Sequence, residues 1–150
     1  MKKYRTNVAA LIISSKGKLL ICERSDRDGV WQFPQGGVKR TETLLEGLHR
    51  EVYEEVGYLE SDYSIVEQRG GYRYLYPQGH KKKYEGQEQS YFLLRLKQHA
   101  SKWDLNILKD PEFQDARWIS PHQFQIQWIA DFKREVYRRV MKDFFAVNLP

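Results

Sequence analysis

The chain has 150 residues, 41% hydrophobic and 30% charged, with a net charge of +5 and a pI near 9.2. That balance suits one domain, residues 1–150, with a hydrophobic core of its own, and excludes an intrinsically disordered chain. A lone cysteine, Cys22, leaves no internal disulfide and sits in an apolar run, so it reads as a buried thiol in a reducing compartment.

The amino-terminal run MKKYRTNVAALIISS opens basic and turns apolar. Asn7 and a Ser-Ser-Lys-Gly turn interrupt it and no small-residue cleavage site follows, so neither a signal peptide nor a membrane span is expected; a cytoplasmic setting is the default. Residues 7–14 and 18–23 read as a hairpin across Lys16-Gly17. The stretch from Trp31 then gives a short apolar strand, a Gly36-Gly37 turn and a helix. Thr41 is a plausible N-cap, Glu42 falls in the first turn and Gly57 stops the helix. Leu44, Leu45, Leu48, Val52 and Val56 recur at helical spacing and make one apolar stripe. Residues 63–67 and 72–76 look like two short strands around Gly70-Gly71, residues 90–96 a third and residues 116–119 a fourth. Between them, residues 77–89 form a polar loop, either a substrate loop or a surface insertion. Pro121 suits the first turn of a short helix ending near Trp128. Asp131 is placed to cap a last helix whose stripe is Phe132, Val136, Val140, Met141, Phe144 and Phe145. The class is α/β, a mixed sheet between helices.

Chemistry concentrates on the first helix. Glu51, Glu54 and Glu55 lie three and four apart and share a face. At roughly 100° of rotation per residue, that face lies about a quarter turn from the apolar stripe, at the rim of the core. Three like charges so close weaken an isolated helix, and a divalent cation is the simplest compensation. A Glu-rich face is ordinarily just solvated, but three features favour a metal. Arg50 can orient a carboxylate by a forked hydrogen bond. Gly36 and Gly37 let backbone approach phosphate oxygens closely. No lysine lies between Glu51 and Glu55 to neutralise the face.

Elsewhere the signals are thinner. Basic residues cluster at Lys2, Lys3 and Arg5, at residues 81–83 and along residues 133–142. They are either ordinary surface or a field that draws in a polyanion. The four histidines are scattered without metal-ligand spacing, and His80 reads as a surface residue. No Gly-x-x-x-x-Gly-Lys loop is present, and nothing locates a Ser/His/Asp triad.

Gly36, five residues, Glu42, seven residues, then Arg50-Glu51-Val52-Tyr53-Glu54-Glu55-Val56-Gly57-Tyr58 resembles the Nudix box of nucleoside-diphosphate-X hydrolases. It matches at every polar and glycine position. The last residue, usually aliphatic, is Tyr58, whose ring can still bury. Outside the box, Trp31-Gln32-Phe33-Pro34-Gln35-Gly36-Gly37, Gly86-Gln87, Tyr91-Phe92-Leu93-Leu94, Pro111-Glu112-Phe113, Trp118 and Phe132-Lys133-Arg134-Glu135-Val136-Tyr137 are similar to the branch of diadenosine-polyphosphate hydrolases and bacterial RNA pyrophosphohydrolases. The resemblance implies an α/β/α sandwich with the box helix packed on one face of a mixed sheet.

It also implies Mg²⁺, with Mn²⁺ as a substitute, held by Glu51, Glu54, Glu55 and Glu112. Glu112 or Glu55 is then the general base, and the two stay open. An adenine clamp carries over onto Tyr74, in Tyr74-Leu75-Tyr76-Pro77, and Phe132; stacking on two rings suits a base whether RNA or a dinucleotide carries it. Gln35, Gly36, Gly37, Arg5, Arg24 and Lys133 are the implied phosphate and nucleotide contacts. At Gln89-Ser90 relatives often carry Lys after the second Gln, which leaves phosphate contacts from residues 81–83 open. Water attack on a phosphoanhydride is the implied reaction. Asymmetric hydrolysis of diadenosine tetraphosphate to ATP and AMP is the first expectation. Removal of pyrophosphate from triphosphorylated RNA ends is the second, and a non-catalytic nucleotide- or RNA-binding module the third. Oligomeric state is not legible.

Overall fold

Strand β1 (Tyr4–Ile13) is apolar on both faces, as a central strand must be. Val8, Ala10 and Ile12 point to one side of the sheet and Ala9, Leu11 and Ile13 to the other. A computed structural model describes residues 3–77 and 83–150, and among these seven strands form one mixed sheet. β1 runs parallel to β6 (Gly86–Leu96), which pairs antiparallel with the edge strand β5 (Tyr63–Leu75). On the other side β1 meets β2 (Leu19–Arg24) only at Ile13↔Leu19. The hairpin expected there splays at once. The outer half of β1 takes β4 (Gln35–Gly37) instead, while β2 pairs with β3 (Trp31–Gln32) and β7 (Phe113–Ile119). That splay opens a gap beside Asn7, Gln35 and Gln32, where the polar cavity described below lies.

Helix α1 (Leu44–Val56) buries Leu48, Val52 and Val56 against Val8, Ala10, Ile12, Cys22 and Phe92. Helix α2 (Arg134–Phe145) buries Val136, Tyr137, Val140 and Met141 against Leu11, Ile21, Phe33 and Tyr91 on the opposite face. The result is the expected α/β/α sandwich. Cys22 is fully buried, and burial pushes its thiol pKa up. The Tyr58 ring is also buried, at 2% exposure, so this position keeps its apolar role. Among the described residues no helix is long and apolar enough to cross a membrane.

Several local expectations are corrected. The N-cap of α1 is Thr43, not Thr41: its hydroxyl accepts the Glu46 N–H at 3.1 Å while Glu46 accepts the Thr43 N–H at 2.9 Å, a reciprocal capping box. Glu42 therefore precedes the helix. Leu45 lies off the buried stripe, at 43% exposure. Gly57 ends the helix in the left-handed region at φ 80°, as expected. Gly70 and Gly71 do not divide two strands. They sit in a bulge within β5, with Gly71 at φ 84°, and a second register shift falls between Ile65 and Glu67. After Pro121 there are two 3₁₀ turns, Pro121–Gln123 and Ile126–Trp128, because Phe124, Ile126 and Ile129 bury at spacings no single α-helix matches. Asp131 does not cap α2. It begins a 3₁₀ turn, Asp131–Lys133, and pairs with Arg134 at 2.7 Å.

Candidate active site

Because Glu42 stands just outside α1, its carboxylate is free to fold back on the helix. Arg50 grips it with a fork, Nε at 2.6 Å and a terminal nitrogen at 2.9 Å. The same guanidinium reaches Glu51 at 2.8 Å, the Gly37 carbonyl at 3.0 Å and Glu54 at 3.6 Å. Arg50 is thus the hub that ties the helix to β4. The hydrogen bonds from Arg50, then the Lys39 N–H, lower the Glu42 pKa to about 2, and the positive charge of Arg50 adds to the effect. Glu42 also raises the pKa of Arg50, which stays charged throughout.

Glu51 and Glu55 are shifted the other way. Burial raises the Glu51 pKa, Arg50 opposes it, and the charges of Glu54 and Glu112 add to the rise. Glu55 is 6% exposed, accepts the Gln35 N–H at 2.9 Å, and is raised well above the usual range by burial, then by Glu51 and Glu112. Gly36 and Gly37 have a physical role the sequence did not disclose. A Cβ at Gly36 would collide with the Glu51 carboxylate, and one at Gly37 with the Arg5 guanidinium. The two missing side chains make room for one acid and one base against the backbone.

Next to these residues lies a polar cavity of about 300 Å³, lined by Arg5, Arg24, Lys133, Gly36, Gly37, Gln35 and Glu112, and by Asn7, Gln32 and Gln87. Arg24 is forked onto Asp26, at 2.8 and 2.6 Å. Glu112 is exposed, and its backbone carbonyl accepts the Ser25 N–H at 2.9 Å. Lys133 is half-buried; burial first, then the charge of Arg24, lowers its pKa to about 8. A second cavity of about 540 Å³ shares Arg5, Tyr74, Gln87 and Lys133 with the first, and adds Tyr76, Tyr84, Lys83 and Phe132. Volumes of this size accommodate a nucleotide base and sugar.

Tyr74 and Phe132 come together, but in edge-to-face contact with centroids 5.6 Å apart, so no gap for a base exists between them in this structure. Both rings instead form wall of the larger cavity, and the Tyr74 hydroxyl is held by Gln87 at 2.5 Å. Of the basic loop, Lys83 lines this cavity, while His80, Lys81 and Lys82 lie outside the described residues, as does Lys2.

The acid set fits a divalent cation of the magnesium type. Its donors are carboxylate oxygens, which hard cations take. Glu51 and Glu55 carry a burial and like-charge penalty that a cation among them would relieve. Among the described residues no three His, Cys, Asp or Glu side chains already converge at ligand distance. Glu51 is turned to Arg50 and Glu55 to the Gln35 N–H.

Sequence reasoning missed Asn7, Gln32, Gln87, Tyr76 and Tyr84 as cavity walls. One signal was available: Asn7 and Gln32 are polar residues next to apolar ones, and both are buried, at 3% and 5% exposure.

A family model described as the NUDIX domain matches residues 3–140. The chain is 40% identical over 153 residues to the RNA pyrophosphohydrolase of Shewanella sediminis (strain HAW-EB3), covering 98% of this chain and 88% of that one. It is 42% identical over 150 residues to the RNA pyrophosphohydrolase of Campylobacter jejuni subsp. jejuni, covering 95% and 94%. Among solved structures it is similar to a C. elegans Ap4A hydrolase, with a TM-score of 0.67 and 19% identity over 95% of this chain and 96% of that one, a likeness of fold alone. A family match from residue 3 to residue 140, with relatives 40% identical along most of their length, makes this chain a member of the Nudix family and a pyrophosphohydrolase of it.

Proposed function

We propose that this pyrophosphohydrolase acts on triphosphorylated RNA 5′ ends and leaves a monophosphate. The observation that carries a nucleotide polyphosphate substrate is the pair of adjoining cavities, one aromatic and one cationic, beside the carboxylates of α1. The choice of RNA is supported by the names of the Shewanella sediminis and Campylobacter jejuni relatives. It reverses the order expected from the sequence, which put diadenosine tetraphosphate first. That dinucleotide stays as the second reading, because the same two cavities suit one adenine and a phosphate chain. The non-catalytic reading is disfavoured by the acid set being complete.

In this reading Glu51, Glu54, Glu55 and Glu112 would hold Mg²⁺, with Mn²⁺ as a substitute. The chemistry a bound cation supplies is neutralisation of phosphate charge and a more acidic water. The chain's own residues do the rest. Arg5, Arg24 and Lys133, with the Gly36 and Gly37 amides, hold the phosphate chain so that water attacks in line. Glu55 or Glu112 takes the proton of that water; burial and the neighbouring charges of Glu51 and Glu112 raise the pKa of Glu55, which favours its holding one. Arg50 keeps Glu51 turned toward β4. Tyr74, Phe132, Tyr76 and Tyr84 offer ring faces and edges to the base. A cytoplasmic setting goes with an RNA substrate.

The test compares kcat/KM for a triphosphorylated RNA oligonucleotide and for diadenosine tetraphosphate with the purified protein and Mg²⁺. RNA is expected to win; a preference for the dinucleotide restores the other order. Glu55→Gln and Glu54→Gln are expected to abolish turnover on either substrate with the fold intact. Turnover that survives both rejects the assignment of these acids.

A further inference from the structure

Three carboxamides from three strands meet behind the polar cavity. Gln89 of β6, 1% exposed, donates both amide hydrogens, one to Asn7 Oδ1 on β1 at 2.9 Å and one to Gln35 Oε1 on β4 at 2.5 Å. Its own oxygen accepts the hydroxyl of Tyr91 at 3.1 Å, and the Tyr91 ring is fully buried. Asn7 and Gln35 line the polar cavity.

A carboxamide has a donor end and an acceptor end, so its inner partner decides which end faces out. With their oxygens turned inward onto Gln89, Asn7 and Gln35 turn their NH₂ groups toward the cavity. This polarity is fixed at its root. Were Gln89 reversed, its NH₂ would face the Tyr91 hydroxyl, and the hydroxyl hydrogen would lose the one acceptor it has among the described residues. A buried donor without a partner is costly. The orientation also suits the cavity's contents. Ionised phosphate oxygens only accept, so outward NH₂ groups attract them and outward carbonyl oxygens would repel them.

We infer that Gln89 is a positioning residue of the phosphate site. Through its own polarity, anchored by Tyr91, it makes Asn7 and Gln35 donors to the phosphate oxygens of the substrate. This rests on the polar cavity being the seat of the phosphate chain. Arg5, Arg24 and Lys133 supply charge there, and the neutral amides supply direction.

Gln89→Glu tests it. The side chain keeps its shape, but a carboxylate only accepts, so Asn7 and Gln35 reverse and present oxygens to the cavity. Inorganic tripolyphosphate is the probe, titrated by calorimetry; it carries no base and is indifferent to whether RNA or a dinucleotide is the substrate. Gln89→Glu is expected to weaken its binding by about tenfold or more for each hydrogen bond to a charged oxygen that is lost. KM for turnover rises in parallel, while kcat changes far less. An Asn7→Ala/Gln35→Ala background separates this from the added charge: there, Gln89→Glu is expected to cost only what its charge costs, clearly less than in the wild-type background. A penalty of the same size in both backgrounds overturns the inference. So does wild-type affinity in Gln89→Glu alone while Arg5→Ala weakens binding. If Arg5→Ala and Lys133→Ala both leave tripolyphosphate binding intact, the cavity is not the phosphate seat, and the role of Gln89 falls with it. If circular dichroism shows Gln89→Glu unfolded, Gln89→Met takes its place in the same cycle: it releases both amides without reversing them, so a smaller loss of tripolyphosphate binding is expected, and none in the Asn7→Ala/Gln35→Ala background.

Discussion

Gly36→Ala separates catalysis from folding at a single methyl group. The new Cβ would lie far inside 3.0 Å of the Glu51 carboxylate. Carbon contacts are most favourable at roughly 3.5–4.0 Å, so the carboxylate must retreat by on the order of 1 Å. It can do so, because it is the end of a flexible side chain and the backbone of Gly36 is not in the left-handed region. Its 2.8 Å bond to Arg50 is then strained or broken. A misplacement of about 1 Å at a reacting centre costs roughly 10²-fold in rate, or about 2.7 kcal/mol of barrier. The assay measures kcat/KM and thermal unfolding on the same preparation. Turnover is expected to fall by about two orders of magnitude with little change in Tm. Gly86→Ala is the contrasting control. There the Cβ meets the Tyr74 backbone carbonyl, which cannot swing aside, so the β5–β6 pairing yields and Tm drops. Wild-type turnover in Gly36→Ala, or a loss fully explained by melting, would refute the reasoning.

A Lys133 pKa of about 8 makes substrate capture pH-sensitive: kcat/KM should fall as pH rises through about 8, where the ammonium loses its proton, and Lys133→Arg should remove that limb from the profile. Stability without divalent cation should respond to Glu55. Its folded pKa lies above the unfolded value of 4.5, so its stabilising contribution is present below that value and lost as pH rises through the raised one. Tm at pH 5 is thus expected to exceed Tm at pH 8, with Glu55→Gln flattening the difference; a Tm that rises toward pH 8 counts against it. Glu42 has the opposite sign, its contribution present above 4.5 and lost as pH falls toward about 2, so it does not interfere in that window. Thr43→Ala removes the hydroxyl of the capping box and should cost about 1 kcal/mol by denaturant titration, while Thr41→Ala should cost much less.

Helical periodicity made the acid face legible, because Glu51, Glu54 and Glu55 are neighbours on any α-helix these residues form. The same periodicity named Leu48, Val52 and Val56 on α1 and Val136, Val140 and Met141 on α2, but it included the exposed Leu45 and missed the buried Tyr137. The N-cap was readable too: Thr43-Leu44-Leu45-Glu46 fits a capping box and Thr41 does not, since Leu44 stands three residues after it. The choice mattered, since only a helix starting after Glu42 frees that carboxylate for Arg50. Other features depend on contacts between distant segments. Gln89 touches Asn7 across 82 residues and Gln35 across 54, and no local pattern announces such pairings. The requirement for Gly36 is similar. Sequence suggests close approach, but not that the group approaching is Glu51. In β5, Gly70-Gly71 carries the same composition as a turn, and only the neighbouring β6 makes it a bulge.

The parallel pairing of β1 with β6 bears on how the protein is born. Arg5 and Asn7 leave the ribosome first, yet their neighbours Gln87 and Gln89 follow some 80 residues later. At about 5–20 residues per second, the first strand waits several seconds for its partner. The edge of β1 that β6 will take stays unpaired in that interval, an open template for wrong strand pairing. A nascent chain arrested before β6 would carry every acid of α1 and still possess no pocket for phosphate.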